Sequence, residues 1–420
     1  MFFSSKKIEK ERRYFDYAAA TPIDSEVLSL LCSLLSENFA NPGALYSEGT
    51  ESKDLIEKSR LSISEMISAH KDEIVFTSGG TESDVLAIRG VIKKVSLDEK
   101  FEGKPHVVIS AIEHSAIFDT VHELEKEGQI ELSILPVNKE GRVAVEDLKD
   151  VVKKTTVLIS IMYINNEIGV IQDIPTISKE VRRLKKKLHG DRHSYYPLIH
   201  TDASQAFGFA PIGVSSLGID LMSFNSGKVY GPKGVGALFV KRGVALNSIF
   251  YSGGQESGLR PGTEPVALIA SFARALEISE GSKSKESLRI ANLREYFLEK
   301  LEKIIKESCF KDLDLDYKVN GSQNYNSPHI ISLSFKGLES DQMVIELDAK
   351  GISVSSKSAC KTLDPQVSHV LSAIGYDDNS WGAIRFSFGR DTQNEDIDFA
   401  IVALQEVLFK LLHTKKEFLL

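Results

Sequence analysis

Leu221-Met222-Ser223-Phe224-Asn225-Ser226-Gly227-Lys228-Val229-Tyr230-Gly231-Pro232-Lys233-Gly234 runs from a short apolar stretch into a glycine-rich turn that holds a lysine. Its first four residues have the length and make-up of a buried strand, and a second such run, Gly236–Val240, follows the turn. Towards the N-terminus the same texture repeats. Ile74–Thr77, Val107–Ser110, Leu132–Leu135, Val157–Ile161 and Leu198–His200 all read as buried strands. Between most of them lie stretches such as Ser115–Glu127 and Thr176–Leu188, with apolar residues at helical spacing. That alternation predicts an α/β fold, a mostly parallel seven-stranded sheet with helices on both faces.

Beyond Pro265 the texture changes. Two helix-like stretches, 266–280 and 286–307, precede strands at Ile330–Phe335 and Ile384–Phe388 and a final helix near 394–412. We expect a large α/β domain over 15–264, a smaller α+β domain over 265–420, and residues 1–14 as an extension. His189–Ser194 reads as a surface loop.

Of the 420 residues, 42% are hydrophobic and 26% charged, as in ordinary globular proteins. A net charge of −8 argues against a general nucleic-acid binder, which needs a basic face. The basic run Arg182–Lys187 reads as a solvated helix face. Three cysteines, at 32, 309 and 360, are too few and too scattered for a disulfide framework or a zinc site, so no metal is expected. Cys32, inside the apolar run Val27–Leu35, and Cys309 read as small core residues. Met1–Tyr14 lacks the apolar region of a secretory signal, and Glu9 and Glu11 argue against a transit peptide. No apolar run approaches the roughly 18 residues of a membrane helix, so the expectation is a soluble, cytoplasmic protein.

Ligands of open α/β sheets bind outside the carboxyl ends of the strands, and the chemically interesting residues fall there. Ser78-Gly79-Gly80-Thr81-Glu82-Ser83 follows one strand and opens a helix, which suits either an anion cradle of backbone N–H groups or a plain tight turn. Glu113-His114 follows the next. Thr201-Asp202-Ala203-Ser204-Gln205 places a carboxylate where it can cap the following turn or face a ring nitrogen. Lys228 is well placed for a Schiff base. Its turn is not a phosphate-binding loop of the Walker type, because no earlier glycine stands at the required spacing and Val229 stands where Ser or Thr would hold magnesium. Cys360 lies in a polar, loop-like context, Ser355-Ser356-Lys357-Ser358 and Lys361-Thr362, whose lysines favour a thiolate.

Taken in order, these blocks resemble the cysteine desulfurases of the class V aminotransferase superfamily, which are fold type I enzymes of pyridoxal 5'-phosphate (PLP). The resemblance runs from Tyr14-Phe15-Asp16-Tyr17-Ala18-Ala19-Ala20-Thr21-Pro22 to the last helix. It includes Phe76–Asp84, Asn165-Asn166-Glu167-Ile168-Gly169, Asp202–Gln205, Lys228–Gly234, Arg260-Pro261-Gly262-Thr263 and Ser358-Ala359-Cys360. It implies that Lys228 carries the cofactor, that Asp202 pairs with the ring nitrogen, and that Gln205 and Asn166 address the phenolic oxygen side. By the same resemblance His114 stacks on the ring as an acid/base, while Gly80 and Thr81 hold the phosphate. Thr263 reaches the phosphate of a neighbouring subunit, which implies a homodimer. Arg385 holds the carboxylate of the substrate, L-cysteine. Cys360 takes the sulfur as a persulfide and passes it to an acceptor such as an iron–sulfur scaffold or a tRNA-thiolation carrier.

The sequence departs from the family pattern in places. Gly227 replaces a His before the lysine, and Asn225, with Ser226 beside it, replaces a phosphate-binding Ser; either can still donate a hydrogen bond. Tyr46 replaces a His, Lys357 replaces a Gly, and 186–197 is longer than usual. Two rival readings follow: a selenocysteine lyase or related PLP β-eliminase, and a weakly active scaffold for sulfur-acceptor partners.

Overall fold

The computed structural model describes residues 12–190, 196–306, 310, 313, 315–356, 368–376 and 380–419. Strand β1 (Arg13–Tyr14) leads into helices α1 (Ser25–Glu37) and α2 (Ser47–Met66). An alternating series follows: β2 (Ile74–Thr77), α3 (Gly80–Ser96), β3 (His106–Ser110), α4 (Ser115–Lys126), β4 (Glu131–Leu135) and α5 (Leu148–Val151). It continues through β5 (Thr156–Ser160), α6 (Ile174–His189), β6 (Leu198–Asp202), α7 (Val214–Leu217), β7 (Leu221–Asn225) and β8 (Gly236–Val240). After α8 (Val266–Ile305) come β9 (Tyr317–Val319), β10 (Ile330–Lys336), α9 (Ser340–Ala349) and β11 (Ile352–Ser353). The chain ends with α10 (His369–Ala373), β12 (Trp381–Ser387) and α11 (Asn394–Leu419).

Seven strands form the main sheet in the order β2-β8-β7-β6-β5-β3-β4. Only β8 runs against its neighbours, β2 and β7; the β7-β6-β5-β3-β4 ladder is parallel. A parallel strand is covered on both faces, so its residues divide between two cores. Leu221 of β7 and Leu198 of β6 pack with α3 and α4, whereas Met222, Phe224 and Ile199 pack on the opposite side with α2, α6 and the start of α8. The seven-stranded, mostly parallel sheet is therefore as expected from the apolar runs.

A second, three-stranded sheet, β12-β10-β9, is antiparallel and has its own core with α9, α11 and the later part of α8. β1 pairs in parallel with β11, and Phe15 packs edge-on to Phe386 and Phe388 in this smaller core. We propose two domains on this basis, 15–264 and 265–420. The larger one takes the first turns of α8 into its core, and the smaller one takes Phe15.

The structure corrects two local expectations. The stretches at 266–280 and 286–307 are one helix of 40 residues. Gly281 interrupts the helical periodicity without breaking it, since no proline follows and Ser282 Oγ donates back to Ile278 O at 2.8 Å. Cys32 is exposed rather than in the core, because the buried stripe of α1 is Val27, Leu31 and Leu34, and Cys32 lies off it. Cys309, Lys357 and Cys360 lie outside the described residues, as does 191–195 within the long 186–197 region.

Candidate active site

The carboxyl ends of β2, β3, β5, β6 and β7 open onto a cleft of about 280 Å³. Gly80, Thr81, His114, Asn166 and Asp202 line it, as do Gln205, Asn225, Lys228 and Arg385. Nine sequence-predicted positions, far apart in the chain, are thus brought to one place. Ser226 and Thr263 are not among its lining residues. Ser226 is wholly buried behind the turn, where a Cβ on Gly231 would strike its Oγ, and that hydroxyl has no hydrogen-bond partner among the described residues. Thr263 is exposed.

Lys228 sits where β7 ends, in a turn clamped by the N-terminal segment. Thr21 N and Thr21 Oγ1 both donate to Gly227 O at 3.1 Å, and Tyr230 N donates to Thr21 Oγ1 at 2.8 Å. Tyr230 takes φ +64, a left-handed conformation that side chains other than glycine rarely adopt, and it is fastened by its hydroxyl accepting from Arg390 N at 2.8 Å. The Lys228 ammonium donates to the carbonyls of Ala18, at 2.8 Å, and Ala19. These carbonyl partners were invisible as such in the sequence, although the segment holding them was part of the family resemblance.

Asp202 ends β6. Its Oδ1 accepts from Ser204 N at 2.8 Å, so the carboxylate caps the next turn and lines the cleft at the same time. Gln205 is fixed from both ends. Its Nε2 donates to Ala18 O at 2.9 Å, which leaves Oε1 to accept from His329 Nε2 at 3.1 Å. His329 stacks on Phe209 at 3.9 Å, and burial holds its pKa down at about 3, so the ring is neutral. Sequence reasoning missed His329, because its link to Gln205 joins positions 124 residues apart in the chain.

His114 caps α4. Its Nδ1 accepts from Ala116 N at 3.1 Å, so the neutral ring carries its proton on Nε2. Burial lowers its pKa, partly opposed by the Asp202 charge. Glu113, beside it, has no role that sequence reasoning assigns. It is wholly buried, and burial pushes its pKa up to about 8.

At the far end of the cleft α3 begins at Gly80, and its cap residue Gly79 brings no side-chain oxygen to the exposed N–H groups. A Cβ on Gly80 would lie 3.0 Å from Asn225 Nδ2 and 3.2 Å from Ser204 Oγ, so glycine keeps this cradle open. Arg385 also lines the cleft, only 4% exposed, with Nη2 on Asp16 Oδ1 and Nη1 on Asn166 O, both at 2.6 Å. The cleft therefore offers an amine, a carboxylate, a neutral imidazole, an anion cradle and a buried guanidinium to a single ligand set.

The model of the aminotransferase class-V family matches residues 13–399, and the chain belongs to that family. Among its relatives, cysteine desulfurase IscS of Dictyoglomus turgidum is 39% identical over 403 residues, covering 96% of each chain. The IscS of Neisseria meningitidis is 37% identical over 402 residues, 95% of this chain and 92% of its own. Similar solved structures include a NifS-like protein (TM-score 0.84, 30% identity, 96% of this chain and 100% of the other). Another is SspA in complex with cysteine (TM-score 0.72, 31% identity, 90% and 98%).

Proposed function

We propose that this chain is a PLP-dependent cysteine desulfurase, which takes sulfur from L-cysteine, releases L-alanine and carries the sulfur on Cys360. The observation that carries this reading is the pairing of Lys228 and Asp202 in one cleft with the uncapped start of α3. PLP presents an aldehyde, a ring nitrogen and a phosphate, and the amine, carboxylate and cradle match those three groups in kind. Lys228 would hold the cofactor with Asp202 at its ring nitrogen, and Gly80, Thr81 and Asn225 would take the phosphate.

When bound, PLP supplies an electron sink that stabilises negative charge at the substrate Cα. The protein's residues do the rest. Arg385 binds the substrate carboxylate by exchanging Asp16 for it. Lys228 removes the proton from Cα and later returns one, and His114 supplies a proton from Nε2. The Cys360 thiolate attacks the substrate sulfur, forming an S–S bond as the Cβ–S bond breaks. The carbon fragment keeps that electron pair and takes up a proton, so L-cysteine and one thiol become L-alanine and one persulfide.

The described residues on either side of the segment that holds Cys360 are tied to residues of the cleft or their neighbours. Ser355 pairs by its backbone with Arg385, while Ser368 Oγ donates to Glu167, the neighbour of Asn166. We also place the enzyme in the cytoplasm as a homodimer, with an iron–sulfur scaffold or tRNA-thiolation carrier as acceptor. Phe39, Leu45 and Tyr46, exposed and close in the chain, offer apolar surface for self-association, and no helix among the described residues is long and apolar enough to cross a membrane.

The test is direct. Purified protein given PLP should turn yellow, and Lys228→Ala should stay colourless. Cys360→Ser should keep the colour but lose sulfide release from L-cysteine under reductant. Undiminished release by that variant removes Cys360 from the mechanism and favours a lyase. Asn225 and Gly227 motivate the scaffold alternative. The nearest atoms to a Cβ at Gly227 are Lys233 Cγ at 3.6 Å and Asn225 Oδ1 at 3.7 Å, so space for a side chain is left unused. A wild-type protein that stays colourless with PLP would favour that alternative.

A further inference from the structure

Two buried carboxyl groups, Asp202 and Asp84, line the cleft, and a third, Glu113, is wholly buried and close enough to act on Asp84. Asp84 lies one turn into α3, is 1% exposed, and lines the cleft as Asp202 does. The groups facing it are Ser223 of β7, His200 and Asp202 of β6, and Glu113 after β3, and His114 and Lys228 line the same cleft. His200 does not balance the charge. Its Nδ1 meets Ser160 Oγ at 2.8 Å and its Nε2 meets Ser223 Oγ at 2.9 Å, and burial holds its pKa near 4.

Two carboxylates in one enclosed site cannot both ionise cheaply, so one keeps a proton. The donors decide which. Asp202 Oδ1 accepts a backbone N–H from Ser204, and its side chain shares the cleft with Lys228. Asp84 has one neutral donor, the Ser223 hydroxyl; its Oδ1 has no hydrogen-bond partner among the described residues, and its nearest basic atom is the neutral His200 Nε2 at 3.7 Å. We propose that Asp84 is a positioning residue acting through Asp202: it sits on the cleft floor as a neutral acid, so that Asp202 alone carries charge towards the cofactor. Burial, and then the charge of Asp202, push the pKa of Asp84 well above the carboxylate range, in line with that geometry.

The proposal rests on the cofactor reading above, and its test separates the two. Infrared spectra of the apo chain at pH 7 are compared for wild type and Asp84→Asn. The expected difference is loss of the carbonyl band of a protonated carboxylic acid; loss of an ionised carboxylate band instead overturns the proposal. In the second arm, titration with PLP followed by visible absorbance compares Asp84→Asn with Asp84→Ala. Asn, a neutral isostere, should bind within about threefold of wild type, and Ala about tenfold more weakly. An Asn variant as weak as Ala would overturn the positioning role. A wild-type chain that takes up no PLP would sink the cofactor reading, while the infrared arm still decides the protonation of Asp84.

Discussion

Glu113 shows how much chemistry one buried side chain can hold. Its Oε1 accepts from the Ser110 hydroxyl and from Met162 N at 2.8 Å, while Oε2 meets no donor among the described residues. With its pKa raised from 4.5 to about 8, Glu113 stays protonated in the folded chain while the unfolded chain ionises. Its contribution to stability is therefore full below about pH 4.5, falls as pH rises towards 8, and is flat beyond. Glu113→Gln, neutral throughout, should abolish that fall. We expect its melting temperature to exceed wild type by about 2 °C or more at pH 8, with little difference at pH 4.5. Calorimetry at the two pH values checks this, and an equal shift at both would refute it. His114, its neighbour, was legible in the sequence as a candidate. The protonation of Glu113 was not, because burial is a property of the packed molecule.

At the scale of elements, the start of α3 and the start of β8 explain each other. A Cβ on Gly236 would lie 2.8 Å from the backbone of Gly79, so β8 approaches the turn before α3 more closely than any side chain allows. That approach seats the helix start beside the end of β7 and Asn225. Gly80→Ala isolates the consequence for ligand binding. Alanine suits the first turn of a helix, but its methyl would crowd Asn225 Nδ2 and Ser204 Oγ, at 3.0 and 3.2 Å. PLP affinity, measured by absorbance titration, should fall about tenfold, while the melting temperature stays within about 2 °C of wild type. Unchanged affinity would remove this helix start from the phosphate site. The Gly79-Gly80-Thr81 pattern was readable as a cradle, but only the strand packing shows what it faces.

Across the whole molecule, distant segments are tied by a few buried polar links. Arg60 of α2 grips Glu256 with Nη1 at 2.8 Å and Nη2 at 2.7 Å, and Glu256 also accepts from Phe76 N at 2.8 Å. The pair holds the stretch leading to Thr263, where Glu256 and Ser257 both take left-handed φ, +49 and +57. Glu256→Ala leaves the Phe76 N–H without its acceptor and the largely buried Arg60 guanidinium with only Glu57 and the Ile74 carbonyl, and should cost about 3 kcal/mol in urea unfolding. A loss below about 1 kcal/mol would mean that the pair is solvent-screened and incidental. α8 makes the other tie, with Phe272 in the larger core and Phe297 in the smaller one.

Resemblance to a known family named nine of the residues that line the cleft, and the sequence's own patterns determined the α/β class, the number of main-sheet strands and their order along the chain, and the Lys228 turn. Those features are written in local patterns: apolar runs of strand length, helical spacing, and glycines where the chain turns sharply. Tertiary structure decided that α8 is continuous, that Cys32 faces out, that Gln205 is held by His329, and that Arg385 rests on Asp16. It also decided which carboxyl groups are buried together. Each of these depends on which surfaces meet and how much water they exclude, and exclusion of water sets both the charge state of an acid and the hydrogen bonds it must find.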